Sequence, residues 1–194
     1  MTSAREVVRD LVLLDGAVYA AVAATETPAL DHGLRRLSAA ADHSKISLTT
    51  AGLLALRPGR TRRAAVLGVL AVGLASAGAN LVVKQLVRRP RPDRAAAASS
   101  AERHVPMPSS PSLPSGHTAA AVAFAAATGS ALPALAFPLG ALACAVGYSR
   151  VHTGVHYPGD VAIGALIGIA SAAAVSAGAN RWPGTPAAVR RPPS

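Results

Sequence analysis

Apolar residues run along this chain in long blocks separated by short polar gaps. The longest blocks, Ala64 to Val87 and Val161 to Ala179, approach the roughly 20 residues a helix needs to cross a bilayer. Between them lie Thr118 to Leu132 and Ala134 to Tyr148, parted by Pro133. Each is roughly 23 Å long at 1.5 Å per residue, and together they predict a helical hairpin with a tight turn. Val7 to Ala24 is an earlier candidate. Arg5 and Arg9 precede its apolar stretch, Leu11 to Thr25, Asp15 interrupts that stretch and Glu26 follows, so it reads as a retained first helix and not as a cleaved leader. Ser44 to Leu56 is the weakest span, being short and carrying Ser47, Thr49 and Thr50. Leu30, Leu34 and Leu37 recur at helical spacing opposite Asp31, Arg35 and Arg36, which predicts an amphipathic helix at the interface or a solvated connection. Residues 89–114, rich in Pro, Arg, Ser and Ala, predict one long loop, and such loops are usually functional or disordered. The pattern predicts an all-α membrane bundle of about six transmembrane helices, one domain over 1–180. A disordered tail over 181–194 follows, with Trp182 as an interface anchor.

Composition sharpens this picture. Apolar residues make up 51% of the chain and charged residues 14%, yet aromatics are only 3%. Such a balance suits close packing of small-residue helices better than a soluble core of large side chains. The formal charge is +10, but the cations fall in the gaps between apolar blocks and are not gathered on one helix or tail. That arrangement favours lipid headgroups or an anionic substrate over nucleic acid. Cys144 is the only cysteine, which leaves no disulfide framework, and its apolar surroundings predict a small buried hydrophobe.

If six helices alternate in direction, the end of the third, the start of the fourth, the end of the fifth and the start of the sixth share one face. Those places hold Lys84 to Pro92, Pro114 to His117, Ser149 to Arg150 and His156 to Asp160. Lys84, in the last turn of a helix, also fits a plain role complementing the dipole. In "PSGH", Ser115 is a natural N-cap and Gly116 permits close backbone approach, while His117 leaves the same turn. A helix start of that kind favours an anion. Arg150 offers a planar fork of donors for phosphate oxygens. His156 and Asp160 are four apart, so the carboxylate can hold one ring nitrogen and leave the other free to attack. Pro158 breaks any single helix through His152, His156 and Asp160, which weakens a metal site there. His152 reads as a packing or loop residue.

Lys84 with Arg91-Pro92, then "PSGH" at Pro114 to His117, then Ser149-Arg150 with His156 and Asp160, together resemble the three-part signature of the type 2 phosphatidic acid phosphatase (PAP2) superfamily. The resemblance covers roughly Leu81 to Ala162, and no signature position departs from it. It implies a metal-independent membrane phosphohydrolase with no cofactor. His156 would attack phosphorus to form a phosphohistidine, Asp160 would orient it, and His117 would protonate the leaving oxygen. Lys84, Arg91, Ser115, Gly116 and Arg150 would hold the phosphate oxygens. Expected partners are the lipid phosphate substrate and membrane lipids, with no nucleic acid.

The family's substrates include phosphatidic acid, phosphatidylglycerophosphate, and polyprenyl phosphates or diphosphates such as undecaprenyl diphosphate. The Arg- and Ala-rich character and "LSAAADHSK" resemble actinobacterial members, some of which remove the 5-phosphate of decaprenylphosphoryl phosphoribose in arabinan precursor synthesis. Two rivals are a soluble vanadate haloperoxidase and a non-catalytic membrane protein that binds lipid phosphate. Setting aside Lys84, Arg91 and Arg150, nine cations fall on the face opposite the site against seven on its own face. This predicts a multi-pass cell-membrane protein with cytoplasmic termini and an extracytoplasmic site.

Overall fold

A computed structural model describes residues 3–97 and 99–181, and every regular element among them is helical. Ser3 and Glu6 form a capping box that opens α1 (Ala4–Ala24). Pro28 begins α2 (Pro28–Ala40), and a tight turn, Asp42–Ser44, leads into α3 (Lys45–Ala55). Helix α4 (Arg60–Leu86) widens into a π-helical segment at Gly78–Val83, just before Lys84. The long loop follows, with one short helical turn at Ala101–Arg103. Then come α5 (Gly116–Ala131), a turn at Pro133–Leu135, α6 (Ala136–His152) and α7 (Pro158–Arg181).

Helix α5 is the axis of the bundle, packed against α4, α6 and α7. The contact surfaces are alanine ladders at helical spacing. Ala71, Ala75 and Ala79 of α4 meet Ala119, Ala123 and Ala127 of α5, with Ala172 of α7 completing the cluster. Helix α7 approaches closest. A Cβ on Gly164 would lie 2.5 Å from the Ser115 carbonyl oxygen, and one on Gly168 would lie 2.6 Å from that of Ala119. This is the close backbone approach that small residues four apart allow between apolar helices. It matters for function because it seats the start of α7 against the start of α5. The predicted hairpin is present, its turn at Pro133.

Among the described residues, three helices are long and apolar enough to cross a membrane: Arg60–Leu86, Pro133–His152 and Pro158–Arg181. The other candidates fall short on length or charge. Helix α3 has 11 residues and α5 has 16, while α1 carries Arg5, Glu6, Arg9, Asp10 and Asp15.

Helix α2 turns its polar side to the protein. Its buried residues are Asp31 and Ser38, and Leu30 is 52% exposed, so a polar stripe faces the protein. The reason lies in α6, whose end offers His152 and Arg150 as partners. Cys144 departs from expectation: it lies exposed on α6, not buried. The expected tail falls outside the described residues from Trp182 onward.

Candidate active site

All eight residues singled out in the sequence lie at one end of the bundle, where α4 ends, α5 starts, α6 ends and α7 starts. The Asp160 carboxylate is at the base, with no exposed surface. It accepts hydrogen bonds from the Ser112 hydroxyl, from the Tyr157 amide at 2.9 Å and from Arg89 Nη1 at 3.0 Å. His156 Nδ1 faces the same carboxylate at 3.4 Å, a contact longer than a well-formed hydrogen bond. Catalytic contacts of this kind often tighten only with substrate. On the other side of the ring, Nε2 faces Arg91 Nη1 at 3.4 Å.

The cations surround this imidazole. Arg91 is fixed by the carbonyl oxygens of Val155 at 2.6 Å and Ser110 at 2.9 Å. Lys84 Nζ donates to Ser110 Oγ at 3.1 Å, and Arg91 Nη2 reaches the same hydroxyl at 3.3 Å. The π segment preceding Lys84 shifts the helical register, and Lys84 lies buried. Arg150 donates to the Ser38 hydroxyl at 2.6 Å, but its Nε is buried and finds no acceptor.

Ser115 caps α5 through Thr118, and its amide donates to the Asp160 carbonyl oxygen at 2.9 Å. That single bond joins the starts of α5 and α7. His117 Nε2 lies 2.7 Å from Asp42 Oδ1, which is also 3.8 Å from Arg150 Nη1. Lys84, Gly116 and His117 line one cavity. The Arg150 charge acts on both His117 and His156.

Burial dominates the titration of His156. It pushes the imidazole down to about 4, against the pull of Asp160 and with the help of Arg91 and Arg150. The ring is therefore neutral at pH 7, the form a nucleophile needs. His117, at the mouth end of α5, is also pushed down to about 4 by burial and Arg150, while Asp42 pulls the other way. Two negative charges on a phosphate beside it favour its protonated form.

Several contributors carried no sequence signal of their own. Arg89 bridges Asp160 and Asp15, at 3.0 and 2.7 Å, and stacks over the Tyr157 ring at 4.0 Å. Ser112 and Asp42 are the others. Beneath them lies a buried ionic cluster: Asp31 Oδ1 contacts His152 Nε2 at 2.9 Å and Arg103 Nε at 3.0 Å. Burial works to raise the Asp31 carboxyl, but hydrogen bonds from Thr27, Arg103 and His152 outweigh it and hold it below the usual range. His152 is thus a packing residue with a specific partner, 121 positions away. Among the described residues no group of three or more His, Cys, Asp or Glu stands ready to hold a metal.

A family model described as the PAP2 superfamily matches residues 64–183, more than half of the chain. The chain belongs to the PAP2 superfamily. Among curated relatives, this PAP2 chain is 42% identical over 161 residues to a Mycolicibacterium smegmatis protein named decaprenylphosphoryl-5-phosphoribose phosphatase, covering 80% of each sequence. It is 43% identical over 106 residues to the Mycobacterium tuberculosis protein of that name, covering 52% of this chain. There it spans 54% of the relative, about half its length. Two solved PAP2-type folds align over most of the chain, each at 23% identity. The phosphatidylglycerolphosphate phosphatase of Bacillus subtilis aligns with a TM-score of 0.71, covering 89% of this chain and 87% of that one. LpxE of Aquifex aeolicus aligns with a TM-score of 0.69, covering 83% and 93%. Both likenesses concern the fold, an all-helical membrane bundle.

The ionic cluster yields one expectation about stability. Arg103→Met leaves the buried Asp31 carboxylate short of its strongest counter-charge. It should destabilise the detergent-solubilised protein by about 3–5 kcal/mol, read from unfolding curves, and a wild-type curve contradicts the assignment.

Proposed function

We propose that this chain is an integral-membrane, metal-independent phosphatase that removes a terminal phosphate from a prenyl-linked lipid, the 5-phosphate of a decaprenylphosphoryl phosphoribose being the substrate favoured by its named relatives. The observation that carries the reaction class is His156, neutral and buried, with Asp160 on one nitrogen and Arg91 beside the other.

His156 Nε2 attacks phosphorus while Asp160 holds Nδ1–H and stabilises the charge that grows on the ring. The bond from phosphorus to the leaving oxygen breaks, and that oxygen takes the proton of His117. Neutral His117 then takes a proton from water, whose oxygen attacks phosphorus and breaks the P–N bond. Inorganic phosphate departs and His156 returns neutral. Lys84, Arg91 and Arg150 spread positive charge around the equatorial oxygens, where phosphoryl transfer gains most of its stabilisation. The unpartnered Nε of Arg150 supports this assignment. The Ser115 amide is already committed to Asp160, so Ser115 contributes its hydroxyl, beside the amide of Gly116. Asp42 positions His117 and favours its charged form.

The same reading makes the protein a multi-pass cell-membrane enzyme with the site on the extracytoplasmic face. Arg57, Arg60, Arg62 and Arg63 stand at the end of the bundle opposite Lys84, as the positive-inside rule favours for cytoplasmic loops.

Phosphate release from prenyl-phosphate substrates should proceed in EDTA. His156→Ala should lower turnover by about a thousandfold or more and Arg150→Ala by about a hundredfold or more, with His152→Ala losing less. Normal turnover in His156→Ala contradicts the mechanism. The pH dependence of the rate should be bell-shaped: kcat/KM should fall on the acid side near pH 4, where neutral His156 gains a proton, and kcat should fall on the alkaline side, where the substrate complex loses the His117 proton. An acid limb at the ordinary imidazole value of about 6.5 contradicts the burial argument. A reporter fused at Ser194 should read as cytoplasmic, and an extracytoplasmic signal reverses the orientation.

A further inference from the structure

Beside the phosphate cations lies a polar chamber of about 170 Å³, half of whose lining has no part in the reaction scheme. Lys84, Gly116 and His117 form its inner wall. The outer wall is His43, Ser44, Ser76 and Asn80, none of which holds phosphate in the scheme above. His117, the proton donor of that scheme, lines this chamber, so the group that takes its proton has room there.

The outer wall is built in two unusual ways. His43 and Ser44 both hold left-handed backbone, with φ of 55° and 58°. Two consecutive non-glycine residues in that region carry strain that glycine would relieve. The chain keeps an imidazole and a hydroxyl there instead, both able to bond a ligand. Opposite them, the π-helical segment of α4 begins at Gly78 and presents Asn80 to the α5 turn. A Cβ on Gly116 would lie 3.5 Å from Asn80 Oδ1. Asn80 Nδ2 donates to the Ser76 carbonyl oxygen at 2.9 Å, which fixes the amide and leaves Oδ1 directed towards the turn. π segments inside α-helices recur at functional sites.

We infer that the polar chamber binds a hydroxylated, sugar-type leaving group. Ser76, Asn80, His43 and Ser44 hydrogen-bond the sugar hydroxyls and so set substrate preference, a role apart from transition-state chemistry. This rests on the phosphatase reading above. A site built to bond hydroxyls discriminates against analogues lacking them, because its own polar groups are then left unpaired.

The test compares kcat/KM for three phosphomonoesters in detergent: farnesylphosphoryl ribose 5-phosphate, a short-chain phosphatidylglycerophosphate, and farnesyl phosphate, which has no hydroxyl. Wild type should favour the ribose substrate over farnesyl phosphate by roughly tenfold or more. Asn80→Leu and Ser76→Val should each lower that ratio by about tenfold, whatever happens to the absolute rates. A wild-type ratio near one overturns the inference without any variant, as does a ratio unchanged in both variants. Equal or better use of the glycerol substrate overturns the sugar assignment. Release from none of the three overturns the phosphatase reading and this inference with it, whereas release without preference overturns only the inference.

Discussion

A carboxylate with no exposed surface must have donors supplied from somewhere, and the Asp160 side chain draws them from distant parts of the chain. Ser112 and Arg89 come from the long loop and the Tyr157 amide from the turn before α7, while His156 Nδ1 of the same turn faces the carboxylate at 3.4 Å. The backbone carbonyl of Asp160 adds the Ser115 amide of α5. A buried charge without such partners is strongly unfavourable, so the position of α7 and the course of the loop are coupled to the chemistry they serve. Arg89 extends the coupling to α1 through Asp15. The same constraint explains why residues 89–114, so poor in regular structure, are held in place: their serines, carbonyls and arginines fasten the site.

Packing by small residues makes this arrangement available. The alanine ladders of α4 and α5, with Gly164 and Gly168 of α7, bring backbones close enough for a Ser115–Asp160 bond across two helices. Larger side chains at those positions would separate the helix starts and disperse the cations. The scarcity of aromatics is thus tied to the geometry of the site. A second layer beneath, Asp31 with Arg103 and His152, anchors α2 against α6, and α2 in turn supplies Ser38 to Arg150.

Much of this was legible in the sequence because polar residues in an apolar context are conspicuous. His117, Arg150, His156 and Asp160 stand in short gaps between apolar blocks and Lys84 near the end of one, and simple alternation of helix direction brings them together. The α4 and α7 helices were legible for the same reason, as long uninterrupted apolar runs. What stayed hidden depended on tertiary partners. The leucine spacing of α2 marked an amphipathic helix, but nothing in it showed that Asp31 and Ser38 would face the protein, where His152, Arg103 and Arg150 meet them. Asp42, Arg89 and Ser112 have no periodicity or motif to mark them, and their roles follow only from which chain segments lie nearby. Cys144 shows the converse: inside a membrane, an apolar neighbourhood does not imply burial within the protein.

The phosphatase reading turns on neutral, buried His156 as the electron-pair donor to phosphorus. Rapid-quench trapping with substrate carrying a labelled terminal phosphate tests it directly. The account predicts a transient, acid-labile and alkali-stable phosphoprotein, with its label on the peptide that contains His156. Release of labelled phosphate with no phosphoprotein at any time, or a label that maps to another residue, contradicts it.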